Sequence, residues 1–199
     1  MRHILCDCNR TATINGTARR CNYIEIRMYK KISLPLSDKT IKKLKAGDLV
    51  LISGTIYTAR DVAHKRLVES LNKNLARGRH NKKLPFNLKG ALLYHAGPTP
   101  ARPGQVIGSC GPTTSSRMDT YTPILLKYGL KGFIGKGKIS EETKNALRRY
   151  NAVYFVTFGG AGAYLSKRIK KCTPVAYKDL GTEAIYKLEV KDFPAVVWR

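Results

Sequence analysis

The chain has 199 residues, a hydrophobic fraction of 43% and a formal net charge of +24, with 37 lysines and arginines against 13 aspartates and glutamates. That length and apolar content suit one domain with a filled core. No uninterrupted apolar run is long enough to cross a bilayer as a helix.

Residues 1–27 are polar and cysteine-rich, without clear periodicity, and are expected to form a poorly ordered N-terminal extension to a domain over residues 28–199. The opening stretch MRHILCDCNR lacks the apolar run of a secretory signal, which points to a soluble, cytoplasmic protein. From Tyr29 the pattern becomes regular. SLPLSDKTIKKLKAGD reads as a short strand and then a helix, capped by Ser37 or Asp38, buried through Ile41 and Leu44, and stopped by Gly47. DLVLISG (48–54) reads as a buried strand and TIYTA (55–59) as a second extended piece. RDVAHKRLVESLNKNLA places Val62, Ala63, Leu67, Val68 and Leu71 at helical spacing. A polar, basic loop (77–85) precedes the strand GALLYHAG (90–97).

After a proline- and glycine-rich loop, Met118, Tyr121, Leu125 and Tyr128 mark a helix ended by Gly129, with Pro123 as a kink or as its true first turn. KGFIGKG (131–137) is a strand entering a glycine turn. Ser140 caps the helix EETKNALRRY, and AVYFVTF (152–158) is a buried strand. GGAGAYLSKRIKK reads as a turn and helix, and TPVAYKD, EAIYKLEV and FPAVVW as extended segments. Strands alternating with helices imply an α/β layered domain.

Cys6, Cys8, Cys21, Cys110 and Cys172 are odd in number and irregularly spaced, which suits neither a disulfide framework nor a paired CxxC metal site. The charge admits three explanations: phosphate neutralisation on a nucleic acid, steering of small polyanions, or pairing with an acidic partner. The sequence has no zinc-finger spacing, no RNA-recognition signature and no aromatic-rich basic cluster, so nucleic acid is the least supported of the three.

Three loops each follow a strand, contain small residues and present a cation: TARD with Arg60, GPTTSSR with Arg117, and IGKG with Lys136. Strand ends and helix starts of an open α/β sheet are where ligands bind. Two guanidiniums can each fork onto a carboxylate, and an ammonium adds a compact charge, so the set suits a dicarboxylic acid. Each piece also has a plainer reading. Arg60 can be a surface arginine, Lys136 a turn residue, and the hydroxyls of TTSS helix caps. His64, one turn after Arg60, either supports that arginine's surroundings or caps the core. GGAGA (159–163) fits no phosphate-loop spacing and reads as close packing of a turn.

SGTIYTARDVAHKR (53–66), GPTTSSRMDTYTP (111–123), IGKG (134–137) and DLGTEAIYKLEVKDFPAVV (179–197) closely resemble the beta subunit of class I, iron–sulfur fumarate hydratase. The related beta subunit of L-tartrate dehydratase shares much of the pattern. The resemblance covers roughly residues 30–199. It implies a swivelling β/β/α fold and the reversible hydration of fumarate to (S)-malate, a reaction of the tricarboxylic acid cycle. The implied cofactor is a [4Fe–4S] cluster held by a partner alpha subunit, with no metal on this chain. A heterotetramer or another heteromer follows, with tartrate as the alternative substrate and a basic nucleic-acid-binding protein as the non-enzymatic alternative. By motif position, Arg60 and Arg117 match carboxylate-gripping arginines, Lys136 a conserved lysine of the site, and Thr113 a threonine proposed as base. His64 and Asp119 fall among the supporting residues. A threonine hydroxyl is a poor base unless cations lower its pKa strongly, so Thr113 reads equally as a substrate hydrogen-bond donor or a backbone cap.

Overall fold

Five short runs of branched and aromatic residues, each followed by a helix or turn, assemble into one sheet. The computed structural model describes residues 29–76 and 84–198; residues 1–28, including the predicted extension and Cys6, Cys8 and Cys21, lie outside them, as does most of the basic 77–85 loop. The strands are β1 (Lys30–Ser33), β2 (Leu49–Thr58), β3 (Leu92–Tyr94), β4 (Gly132–Gly135), β5 (Val153–Val156), β6 (Ile169–Ala176) and β7 (Ile185–Trp198). The helices are α1 (Asp38–Lys42), α2 (Asp61–Ala76), α3 (Thr122–Lys127), α4 (Glu141–Arg149) and α5 (Gly162–Ser166). A 3₁₀ turn occupies Ser115–Met118, and 3₁₀ structure kinked at Gly181 occupies Lys178–Glu183.

Strands β1 to β5 lie side by side in chain order, all parallel. The long β7 runs antiparallel to β5 and β6 on one edge and to β2 on the other. Strands β2, β3, β4, β5 and β7 therefore close into a small barrel in a mixed α/β domain. Alternation along the strands sorts side chains onto two faces. Leu93, Phe133 and Tyr154 join Ala63, Leu67, Leu125 and Leu147 in the cluster that α2, α3 and α4 cover. Leu92, Tyr94, Ile134, Val153 and Phe155 join Ile52, Ile56, Leu188 and Phe193 on the other face, with Ile41 of α1 and Leu165 of α5. Both faces are covered, so β3 and β4 are apolar without interruption.

Three boundaries differ from the expectations. The pieces 48–54 and 55–59 are one strand, β2, with a register shift between Ile52 and Gly54. Gly54 sits at φ +123°, where a Cβ would stand 2.9 Å from Leu34 Cβ. The helix expected from Met118 splits into the 3₁₀ turn and α3, with Pro123 in the first turn of α3. The helix after GGAGA stops at Ser166, and Ile169 to Lys171 enter β6 instead. Val62 is exposed, while the other four apolar residues of its helical stripe are buried. Part of the positive charge sits on the two edge strands: Lys30 and Lys31 of β1, and Lys170 and Lys171 of β6, are exposed. Lysines there oppose unwanted edge-to-edge pairing.

Candidate active site

Because β2, β3, β4 and β5 are parallel neighbours, their C-terminal ends form one edge of the sheet. The loops that follow them carry Arg60, His95, Lys136 and Gly159 respectively, and the GPTTSSR loop folds back across this edge. Its backbone is tied into the ends of β3 and β4. Ala96 and Pro112 pair as an antiparallel bridge, and Thr114 and Lys136 as a parallel one. Ser115 N–H donates to Lys136 O at 2.9 Å, and Lys136 N–H to Thr113 O at 3.3 Å. The loops of Arg117 and Lys136 are therefore a single backbone unit.

The two arginines meet over a shared carboxylate. Arg117 Nε lies 3.4 Å from Asp61 Oδ1, and Arg60 Nη2 lies 3.7 Å from Asp61 Oδ2. Arg60 Nη2 also pairs with Glu183 Oε1 at 3.2 Å, and Glu183 Oε2 accepts from the Val62 N–H in the first turn of α2. Gly97 admits the arginine: a Cβ there would stand 2.9 Å from Arg60 Cδ and 3.1 Å from its Nη1. The Arg60 side chain is about a quarter exposed and Arg117 nearly half, so both guanidiniums remain reachable from solvent.

Lys136 is exposed, and its side chain runs across Gly159, where a Cβ would stand 3.6 Å from Lys136 Cδ. The glycine turn behind it is pinned by Tyr154, whose hydroxyl donates to Gly137 O at 2.9 Å. Burial pushes that phenol up to about 12, so it stays a donor. Thr113 uses both its donors on one acceptor: its N–H reaches His95 O at 2.6 Å and its Oγ1–H reaches the same oxygen at 3.1 Å. With its proton given to a peptide carbonyl, the Thr113 hydroxyl oxygen keeps its capacity to accept a hydrogen bond.

Asp119 serves a different element. Its Oδ2 accepts from Ser140 N–H at 2.8 Å and its Oδ1 from Thr143 Oγ1 at 2.9 Å. Ser140 is the N-cap of α4, so Asp119 anchors the loop of Arg117 to that helix start. GGAGA packs closely: a Cβ on Gly162 would stand 2.3 Å from Ser109 Oγ and 3.0 Å from Gly111 N.

His64 lies beneath Arg60, 1% exposed, with its Nδ1 2.9 Å from the Arg60 carbonyl. The sequence reading did not single out His95, Asp61 or Glu183. Two of them stand inside the motifs quoted above, beside Arg60 in TARD and within DLGTEAIYKLEV. His95 carried a weaker signal, a polar ring ending an apolar strand in LLYHAG. Among the described residues, no group of three or more His, Cys, Asp and Glu is placed to hold a metal ion. Cys110 is fully buried, and burial pushes its thiol up to about 12; Cys172 is half-buried and also raised.

Residues 10–198 match the model of the family described as Fumarase C-terminus. A Methanocaldococcus jannaschii protein provisionally named L(+)-tartrate dehydratase subunit beta is 38% identical over 167 residues, covering 81% of this chain and 82% of that protein. Fumarate hydratase 2 of Leishmania major is 34% identical over 159 residues, 79% of this chain and 27% of its own. The anaerobic class I fumarate hydratase of Escherichia coli is 38% identical over 148 residues, 73% of this chain and 26% of its own. The chain thus spans most of the first relative's length and about a quarter of the two fumarate hydratases.

Proposed function

Because this chain belongs to the fumarase C-terminus family, we propose that it is the beta subunit of a two-subunit hydro-lyase that adds water reversibly to fumarate to give (S)-malate. The observation that carries this reading is the convergence of Arg60 and Arg117 on one carboxylate at the sheet edge. Two guanidiniums held by a side-chain carboxylate are already spaced for a carboxylate of the substrate. Lys136, presented by the neighbouring strand end, supplies a third cation.

The chemistry gives each residue a task. Removing a proton beside a carboxylate adds negative charge to a molecule that already carries two. Cations fixed in advance where that charge develops lower the barrier. In this reading Arg60 and Arg117 bind and orient the substrate carboxylates, and Lys136 faces the developing charge. Thr113 accepts a hydrogen bond from the substrate through its hydroxyl oxygen; to act as the base it must first lose its own proton under the pull of the nearby cations and take the substrate's proton as the alkoxide. His64 and Asp119 hold the two arginine loops in place. The swivelling β/β/α layering belongs to the same reading, supported by the parallel β1–β5 series under α2, α3 and α4.

The [4Fe–4S] cluster belongs to the partner alpha subunit in this proposal. The described residues of this chain offer no donor set for it, and none of the tasks above runs through it. The assembly is a heterotetramer or another heteromer, and the location cytoplasmic; among the described residues no helix is long and apolar enough to cross a membrane.

Tartrate is the second reading, favoured by the relative that this chain matches along most of its length. The test is to purify the chain together with its alpha subunit, reconstitute iron and sulfide without oxygen, and assay fumarate, malate and tartrate. Turnover of fumarate and malate supports the first reading, and turnover of tartrate alone the second. Full turnover by this chain by itself would overturn both.

A further inference from the structure

Two buried histidines lie under the arginines and touch each other. The rings of His64 and His95 meet edge to face, with centroids 5.1 Å apart, and His95 stacks on Phe133 at 5.0 Å. Each ring grips a different loop. His64 Nδ1 is 2.9 Å from the carbonyl of Arg60, which also accepts the His64 N–H at 2.8 Å. A carbonyl only accepts, so His64 carries its proton on Nδ1. His95 Nδ1 is 3.1 Å from Ser115 Oγ, two residues before Arg117, and the His95 carbonyl holds Thr113. Gly135 leaves the room for this: a Cβ there would stand 1.9 Å from Ser115 Oγ and 3.2 Å from His95 Nδ1.

The arrangement is costly for a merely apolar core. Both Nε2 atoms are buried without a hydrogen-bond partner, as is Arg60 Nε. An unsatisfied buried nitrogen is destabilising, and leucine or phenylalanine would fill the space without that cost. What an imidazole adds is a directed bond to one loop and a flat face to its neighbour.

We propose that His64 and His95 are positioning residues: as a touching pair they lock the Arg60 loop to the Arg117 loop from beneath and so set the spacing of the two guanidiniums. The proposal rests on the reading that these arginines grip a dicarboxylate. It goes beyond that reading in assigning the grip's geometry to a buried pair that touches no substrate. The Asp61 bridge joins the same two loops at the surface, where long, partly exposed ion pairs contribute little. The buried contact adds a tie beneath that bridge, out of reach of solvent screening.

The test has two arms. In the full-length chain alone, the arginine Nε–Hε signals of Arg60 and Arg117 in a ¹H–¹⁵N spectrum should both move in H95L and in S115A. They should return toward wild type in H95N, whose amide keeps a polar atom near the Nδ1 position. In the chain purified with its alpha subunit, H95L and S115A should raise KM for the dicarboxylate by roughly tenfold while kcat changes less than threefold, because a displaced grip weakens ground state and transition state alike. H95N should stay within threefold of wild type in both constants. S115A deletes the same hydrogen bond without touching the ring stack, so it decides the matter if H95L fails to fold. Arginine signals that stay in place, or a KM that rises equally in H95N and H95L, overturn the proposal. If the signals move as expected but the wild-type pair turns over no dicarboxylate, the positioning role stands and the dehydratase reading falls.

Discussion

Asp61 Oδ1 lies 3.4 Å from Arg117 Nε, and the other oxygen of the same carboxylate faces Arg60 at 3.7 Å. The two arginines are 57 positions apart in the chain, yet one side chain joins them. The joint exists because β2 and β4 both flank β3 and end at the same edge, and because the loop of Arg117 is paired to the strand end that carries Lys136. In the proposed reading, a carboxylate of the substrate meets the same two guanidiniums that Asp61 meets in the free chain.

Arg117→Lys should therefore cut activity in the two-chain enzyme by roughly a hundredfold in kcat/KM, comparable to losing one preorganised donor from an anion site. An ammonium is a single point of charge and cannot reproduce a forked grip. Lys178→Arg, on the exposed 3₁₀ turn, is the control and should remain within twofold of wild type. Equal losses in the two variants would remove Arg117 from the substrate-binding role.

Much of this was legible in the sequence, and the limits have physical causes. Strand runs such as VYFV and the Ser140-capped helix could be read because burial and capping are local signals. The strand-end loops carrying Arg60, Arg117 and Lys136 could be found by pattern. Closure by β7 could not, because it depends on one strand pairing with β2 more than a hundred residues earlier. The short α5 was overestimated because RIKK suits a helix, and pairing with β7 overrides that preference. Asp61 and His95 were overlooked for a related reason: their importance lies in what stands across the sheet edge from them.

Gly135→Ala should destabilise the chain and loosen the site together. The added methyl would fall 1.9 Å from Ser115 Oγ, between β4 and the loop it supports. Overpacking of this kind costs about 1–3 kcal/mol, or a Tm lower by roughly 2–12 °C in a domain of this size. Gly159→Ala is the contrast, since its methyl meets Lys136 Cδ only at an ordinary 3.6 Å. Its Tm should lie within about 2 °C of wild type. Thermal melts of the three proteins decide it, and equal Tm values for the two variants would contradict the packing seen around Ser115.

The cysteines provide a test of where the cluster resides. Iron binds thiolate, and burial raises both Cys110 and Cys172, the former to about 12. Cys110→Ala and Cys172→Ala in this chain should leave iron and acid-labile sulfide per reconstituted complex equal to wild type. Loss of iron in either variant would place a ligand on this chain and overturn the assignment to the partner.

Acid should weaken the folded chain through its histidines. Burial pushes His64 down to about 4 from an ordinary 6.5, against the opposing pull of the Arg60 carbonyl and the Asp61 carboxylate. His95 is driven well below its ordinary value by burial and by His64 itself. Tyr121 and Phe133 are the other rings facing the pair, and neither offers a charge to compensate. Both folded values lie below the unfolded ones, so between them the unfolded chain binds more protons than the folded chain. The stability the pair supplies is complete above pH 6.5 and is lost as the pH falls from there toward about 4. For His64 alone the shift corresponds to about 3 kcal/mol. Tm measured across this window should fall steeply in wild type and less steeply in His64→Asn, which keeps a donor for the Arg60 carbonyl but has nothing to titrate. Parallel slopes in the two proteins would show that the buried pair does not govern the acid limb, and that the carboxylates do.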